Sequence, residues 1–229
     1  MMLDPLLIVE LGILGLGTGF LAGLLGIGGG MLLVPFLTYI LGHQQVAPDL
    51  AVKMAIATSM ATIMFTSVSS VRAHHKRGAV RWDIVKRLAP GIVIGGLVAS
   101  LGVFSLLKGA FLAIFFGLFV SFSAFQMFLD KKPAPSRQMP GPGGQLAAGG
   151  LIGFLSGLVG GQSVDGLPAA SLGYIWLPAL AVIATCSVMT APLGARAAHQ
   201  LPVKQLKRVF ASLLFVLAAY MLWKGVSAF

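Results

Sequence analysis

Acidic residues are scarce in this chain: six Asp and Glu stand among 229 residues, against 16 Lys and Arg. An enzyme that works by paired carboxylates has little to draw on, and no His/Cys/Asp/Glu set has metal-ligand spacing. Neither a metal nor any other cofactor is expected. There is one cysteine, Cys186, which excludes an intramolecular disulfide and reads as core because its neighbours are apolar. Charged residues make up only 10% of the chain, too few to solvate a globular surface. What abounds is apolar, with 57% hydrophobic residues and a mean hydropathy of +0.94. The chain therefore reads as an all-α polytopic membrane protein, with the lipid bilayer as its medium. Its first apolar segment is Gly-rich, lacks a basic leader and is followed by further spans, so it reads as mature structure.

The net charge of +10 could suggest nucleic acid, but the basic residues fill short stretches between hydrophobic runs, with no aromatic platforms among them. No nucleic-acid partner is expected. At about 20 residues per span, apolar runs fall at 6–26, 31–42, 51–71, 88–107, 109–129, 146–160, 168–194 and 203–223. Two of them, 31–42 and 146–160, are too short to cross a bilayer. The stretch KKPAPSRQMPGPGG from Lys131 cannot pack a core and divides the chain into a first repeat, 1–130, a linker, 131–145, and a second repeat, 146–229.

The halves repeat one another. GFLAGLLG at Gly19 returns as GFLSGLVG at Gly153, and Gly15, Gly19, Gly23 and Gly26 match Gly149, Gly153, Gly157 and Gly160 at a constant offset of 134. Near the end of each half the offset is 94, pairing Phe116 with Phe210 and Met127 with Met221. The second half is thus shorter by the difference, about 40 residues, between Gly160 and Leu167. Thirteen of the 16 basic residues gather in three stretches, Arg72–Arg87, Lys131–Arg137 and Arg196–Arg208, which the positive-inside rule places in the cytoplasm. Corresponding loops of the two halves then face opposite sides, so the fold expected is a pair of inverted repeats with glycine-broken, re-entrant-like helices.

The break itself is Gly26-Ile27-Gly28-Gly29-Gly30, set between Leu24-Leu25 and Met31-Leu32-Leu33-Val34. Adjacent glycines cannot hold a helix, and a bare backbone at membrane depth must lie inside protein or line a wet cavity. Helix packing needs glycine on one face only, which suits Gly15, Gly19 and Gly23 with their repeats. Gly28, Gly29 and Gly30 cover every face, and a half-helix N-terminus there would offer N–H groups to an anion. Downstream, Thr58, Thr62, Thr66 and Ser70 recur every four residues as a hydroxyl stripe, with Ser59 and Ser69 beside it. Such hydroxyls serve either as anion donors, a role expected of Thr58 and Ser59, or as back-bonds to i−4 carbonyls and interhelical bonds. Lys53 and Arg196 are the cations able to neutralise an anion near a span, unless they snorkel to headgroups. Trp82, Trp176 and Trp223 read as interface anchors.

At GLLGIGGGMLLVP the chain resembles the TauE/SafE family, the sulfite exporters. Ala57-Thr58-Ser59 resembles that family's small-Thr-Ser triplet, His75–Trp82 its basic loop, and TAPLGARAAHQLP at Thr190 its C-terminal stretch. The resemblance implies secondary transport, with export the expected direction, of small sulfur-containing anions such as sulfite or sulfoacetate. The expected substrate-binding residues are Gly28, Gly29, Gly30, Thr58, Ser59, Thr62 and Arg196. The second GIGGG and second small-Thr-Ser triplet are missing, either by deletion or because a segment between 160 and 167 is left out of these 229 residues. The second explanation is favoured, since discarding one of two symmetry-related elements would be odd for a transporter. An intact mass about 4 kDa above 23.8 kDa would establish it. The alternative function is a membrane subunit that docks a soluble protein through the basic loop Arg72–Arg87. No oligomeric state follows from these features.

Overall fold

Asp4 starts the first helix: its carboxylate accepts the Leu6 N–H at 3.3 Å, and Pro5, which has no N–H to leave unpaired, fills the first turn. Helix α1 (Pro5–Leu25) is about 32 Å long, enough to cross a bilayer. It stops at Gly26, whose left-handed φ of 71° turns the chain while its N–H caps Ala22 O. The computed structural model describes residues 4–26, 29–100, 108–129, 141–157, 170–198 and 203–227. Gly28, most of the linker and the 160–167 junction lie outside these residues.

The chain resumes at Gly29, also left-handed with φ 77°, and enters α2 (Gly30–His43), only about 21 Å long. Helix α3 (Pro48–His75) follows, then α4 (Trp82–Ser100), α5 (Gly109–Leu129) and α6 (Pro142–Gly157). A two-stranded hairpin, β1 (Ser171–Leu172) and β2 (Ile175–Trp176), precedes α7 (Leu177–Ala197) and α8 (Val203–Val226). Five helices among the described residues are long and apolar enough to cross a membrane: α1, α3, α5, α7 and α8 from Lys207. Helix α4 opens with Asp83, Lys86 and Arg87, so its apolar part starts only at Leu88.

Glycines dictate the pairing. A Cβ on Gly15, Gly19 or Gly23 would run into the backbone of Ile183, Ser187 or Ala191, so α1 lies directly on α7. Gly149 and Gly153 meet Leu88 and Ile92 in the same way, laying α6 on α4. In both crossings the helices run in the same direction, because the contact numbers rise together. Helices α5 and α8 pair in opposite directions, Gly117 against Ala218 and Leu222, and Gly225 against Ala110 and Ile114. Helix α3 packs on α2, α5 and α7, and its N-terminal half sits in a core with Leu37, Leu41, Ile183 and Met221.

Two sequence expectations change here. The run 168–194 is not one continuous span: from Ser171 to Trp176 it is a hairpin turning on Gly173 (φ 56°) and Tyr174. Trp176 is no interface anchor either, being 3% exposed at the head of α7, whereas Trp82 and Trp223 are 44% and 66% exposed. A hairpin lets both aromatic residues, Tyr174 and Trp176, cap the core that a straight helix would have turned half away.

Candidate functional site

The break reaches deep into the helix layer. Gly29 lies against Thr18 and Ala22 of α1, and Gly30 against Ile63, near the middle of the 28-residue α3. Helix α2 therefore begins at mid-depth and runs to His43 at the end where Gly42 approaches the Lys224 amine. No side chain caps its N-terminus; the Gly29 carbonyl accepts from Leu32 and Leu33, both at 3.1 Å. Gly29 and Gly30 are both buried.

The hydroxyl stripe is real, and the structure shows where its hydrogen bonds go. Thr58 Oγ1 accepts the Trp176 N–H at 3.0 Å, which fastens the hairpin to α3. Ser59 donates to Ala55 O at 2.6 Å, Thr62 to Thr58 O at 2.9 Å, and Thr66 lies 3.0 Å from Thr62 O and 2.7 Å from Ser187 Oγ. Thr58, Ser59, Thr62 and Thr66 are all buried. Lys53, a candidate anion neutraliser in the sequence, is paired with Asp49 at 3.4 Å and lies 5.9 Å from the Tyr174 ring centre.

Beyond Thr66 the helix opens. A cavity of about 140 Å³ lies between α1 and α3, lined by Ala22, Gly26, Thr66, Ser67, Ser70 and Val71. This volume is well below the roughly 300–1,000 Å³ of drug-sized ligand sites and suits a small oxyanion. Ser67 donates to Met64 O at 3.0 Å. Ser70 has no hydrogen-bond partner among the described residues and so keeps a donor to offer. The missing Cβ at Gly26 leaves that wall open, with no other atom within 4 Å of where it would stand.

Of the residues expected at a common site, Gly29, Gly30 and Thr62 lie near this level, while Thr58 and Ser59 sit one to two turns farther out beside the hairpin. Arg196 is not on the 140 Å³ cavity. It lines a different one, of about 740 Å³, with Arg72, Lys76 and Arg77. Gly28 is outside the described residues. Thr66, Ser67 and Ser70 of this cavity stand outside the expected set, although Thr66 and Ser70 continue the four-residue stripe that Thr58 and Thr62 begin.

The sequence profile described as Sulfite exporter TauE/SafE matches residues 11–171 and again 162–221 of this chain. The chain belongs to the TauE/SafE family. A probable membrane transporter protein of Haemophilus influenzae is 34% identical over 249 aligned residues, covering 90% of this chain and 94% of that protein. A probable membrane transporter protein of Methanocaldococcus jannaschii is 26% identical, over 97% and 96% of the two chains. One from Bacillus subtilis is 29% identical over 76% and 71%. No solved structure matches. This TauE/SafE protein is thus an integral, multi-pass membrane transporter.

Proposed function

We propose that this TauE/SafE protein is a secondary transporter that exports small sulfur-containing anions such as sulfite or sulfoacetate, and that the anion passes the break between α1 and α2. The observation that carries this is the 140 Å³ cavity beside Gly26, with Ser70 unpaired in its wall at the foot of a helix interruption. Hydroxyls and backbone N–H groups solvate an oxyanion without placing a fixed charge in the bilayer. Gly29 and Gly30 place the α2 N-terminus, Thr62 and Thr66 brace α3, and Ser67 and Ser70 face the anion.

We further read the halves as inverted repeats working by rocking of one against the other. Helices α5 and α8 are repeat equivalents at the offset of 94 and run antiparallel, as an axis in the membrane plane requires. The crossings are reciprocal as well: the first helix of each half lies on the next-to-last helix of the other, through the same glycine face. A segment between 160 and 167 that would complete the second half is supported by the Haemophilus alignment, whose 249 positions exceed the 229 residues here.

The test is flux of labelled sulfite and sulfoacetate in proteoliposomes, comparing the unaltered protein with Ser70→Ala and Thr58→Val at equal insertion. Loss in Ser70→Ala alone supports the cavity; equal flux in all three removes it from the pathway. Gly29→Leu is a poor probe, because φ 77° and the Thr18 carbonyl 3.1 Å from a new Cβ would strain any side chain there.

A further inference from the structure

We propose that the cleft between α3 and α7 is a binding site for an anionic phospholipid, with its headgroup at the basic ends of these helices and an acyl chain along their groove. The 740 Å³ cavity there is rimmed by Arg72, Lys76, Arg77 and Arg196, and no acidic residue lines it. None of these four cations is in an ion pair among the described residues. Arg77 is anchored, its Nη1 donating to Ala195 O at 2.5 Å, which ties the ends of α3 and α7 together and leaves the rest of its guanidinium fork available. Four like charges held around one cavity without a counter-ion repel one another, and a phosphodiester relieves them through charge-assisted hydrogen bonds.

The inner wall of the same cavity is apolar, formed by Phe65, Val68 and Val188. Phe65 and Val188 also line a second cavity of about 580 Å³ that continues past Ala184 and Ala181 to Leu177, with Thr185 its only hydroxyl. From Arg196 to Ala181 this groove follows α7 for about 22 Å, longer than the roughly 15 Å half-thickness of a bilayer core. It opens sideways, since Met64 and Met189 on its flanks are 71% and 68% exposed. A free oxyanion would use the rim and leave the groove unexplained. A zwitterionic lipid would fill the groove and leave four positive charges uncompensated. An anionic lipid uses both parts.

The experiment is native mass spectrometry of the intact protein, titrated with phosphatidylglycerol, with phosphatidylcholine of the same chains, and with inorganic phosphate. Phosphatidylglycerol should bind at least about tenfold more tightly than phosphatidylcholine, given about 1 kcal/mol for each basic residue engaged. Arg72→Gln/Lys76→Gln/Arg196→Gln should abolish the preference. Val188→Trp, which fills the shared wall and keeps every charge, should weaken the lipid and leave phosphate unaffected. Lys86→Gln/Arg87→Gln, two charges in the same basic stretch but off the cavity, should change neither. Equal binding of the two lipids overturns the proposal, as does a preference that survives the triple substitution. Phosphate that displaces phosphatidylglycerol, with no response to Val188→Trp, makes this a free-anion site. A dimer that excludes lipid makes it an interface between copies, and also overturns the proposal.

Discussion

The two ends of α3 carry the same kinds of side chain, but only one end leaves some of them without a protein partner. From Asp49 to Thr66 every polar group named has a protein partner: Lys53 has Asp49, Thr58 has Trp176, and Ser59, Thr62 and Thr66 have carbonyls one turn back. From Ser67 to Arg77 the same helix borders two cavities, with Ser70 unpaired and three cations on a rim. What differs is the packing. The half from Asp49 is enclosed by α2, the hairpin and α7, whereas along the half from Ser67 the chain of α1 turns away at Gly26 and leaves the 140 Å³ cavity beside it. A four-residue hydroxyl repeat is therefore no site in itself, and the site we propose lies only where α1 turns away at Gly26.

This contrast can be broken at several points. The largest effect expected is from Asp49→Ala, which removes the Lys53 counter-ion and the acceptor for the Gly109 N–H. Because Asp49 is half-exposed, about 2 kcal/mol is expected instead of the roughly 3–5 of a fully buried pair. Thermal unfolding in detergent would show it, with flux per folded molecule unchanged. Next comes Thr58→Val, which orphans the buried Trp176 N–H and should cost about 1–2 kcal/mol in the same assay. At the inner end the signature inverts. Ser70→Ala should leave stability within about 0.5 kcal/mol while flux falls about tenfold, the value of one hydrogen bond to a charged group. If Ser70→Ala loses stability instead, the two ends are alike and the cavity is only packing.

The smallest effect is expected in the loop beyond α3. Arg81 bonds Asp83 at 2.7 Å and holds its carboxyl below the usual carboxylate range, both groups being open to water. A depressed carboxylate stabilises the fold above its unfolded pKa near 3.8, and that contribution fades as pH falls through the lower folded value. Asp83→Asn should thus flatten the pH dependence of unfolding only below about pH 4, and 0.5 M salt should mask even that.

Much of this layout could be read from residue order. The half-length helix at 31–42, the break before it, the glycine faces and the hydroxyl period all follow from local spacing, and each appears within a residue or two of its expected place. Partners could not be read that way. Thr58 faces Trp176 across 118 positions, and nothing in Ala57-Thr58-Ser59 says whether its hydroxyl meets a ligand or a backbone N–H. The hairpin was hidden by composition, since Leu172, Tyr174, Ile175 and Trp176 extend the apolar run of α7, and only Gly173 marks the turn. Arg196 looked like a lone cation beside a span because Arg72, Lys76 and Arg77 join it only through the α3–α7 crossing.

The crossing of α1 on α7 also sets a timetable for biosynthesis. Gly15 and Ile183 are 168 positions apart. At roughly 5–20 residues per second, the ribosome delivers the second about 8–34 s after the first. Throughout that interval the glycine face of α1 stands in the membrane without the helix it was shaped for, and α6, made later, finds α4 already waiting. Chains stopped before Leu177 should therefore be targets for membrane quality control, while those stopped after Ala197 should already have closed the α1–α7 crossing.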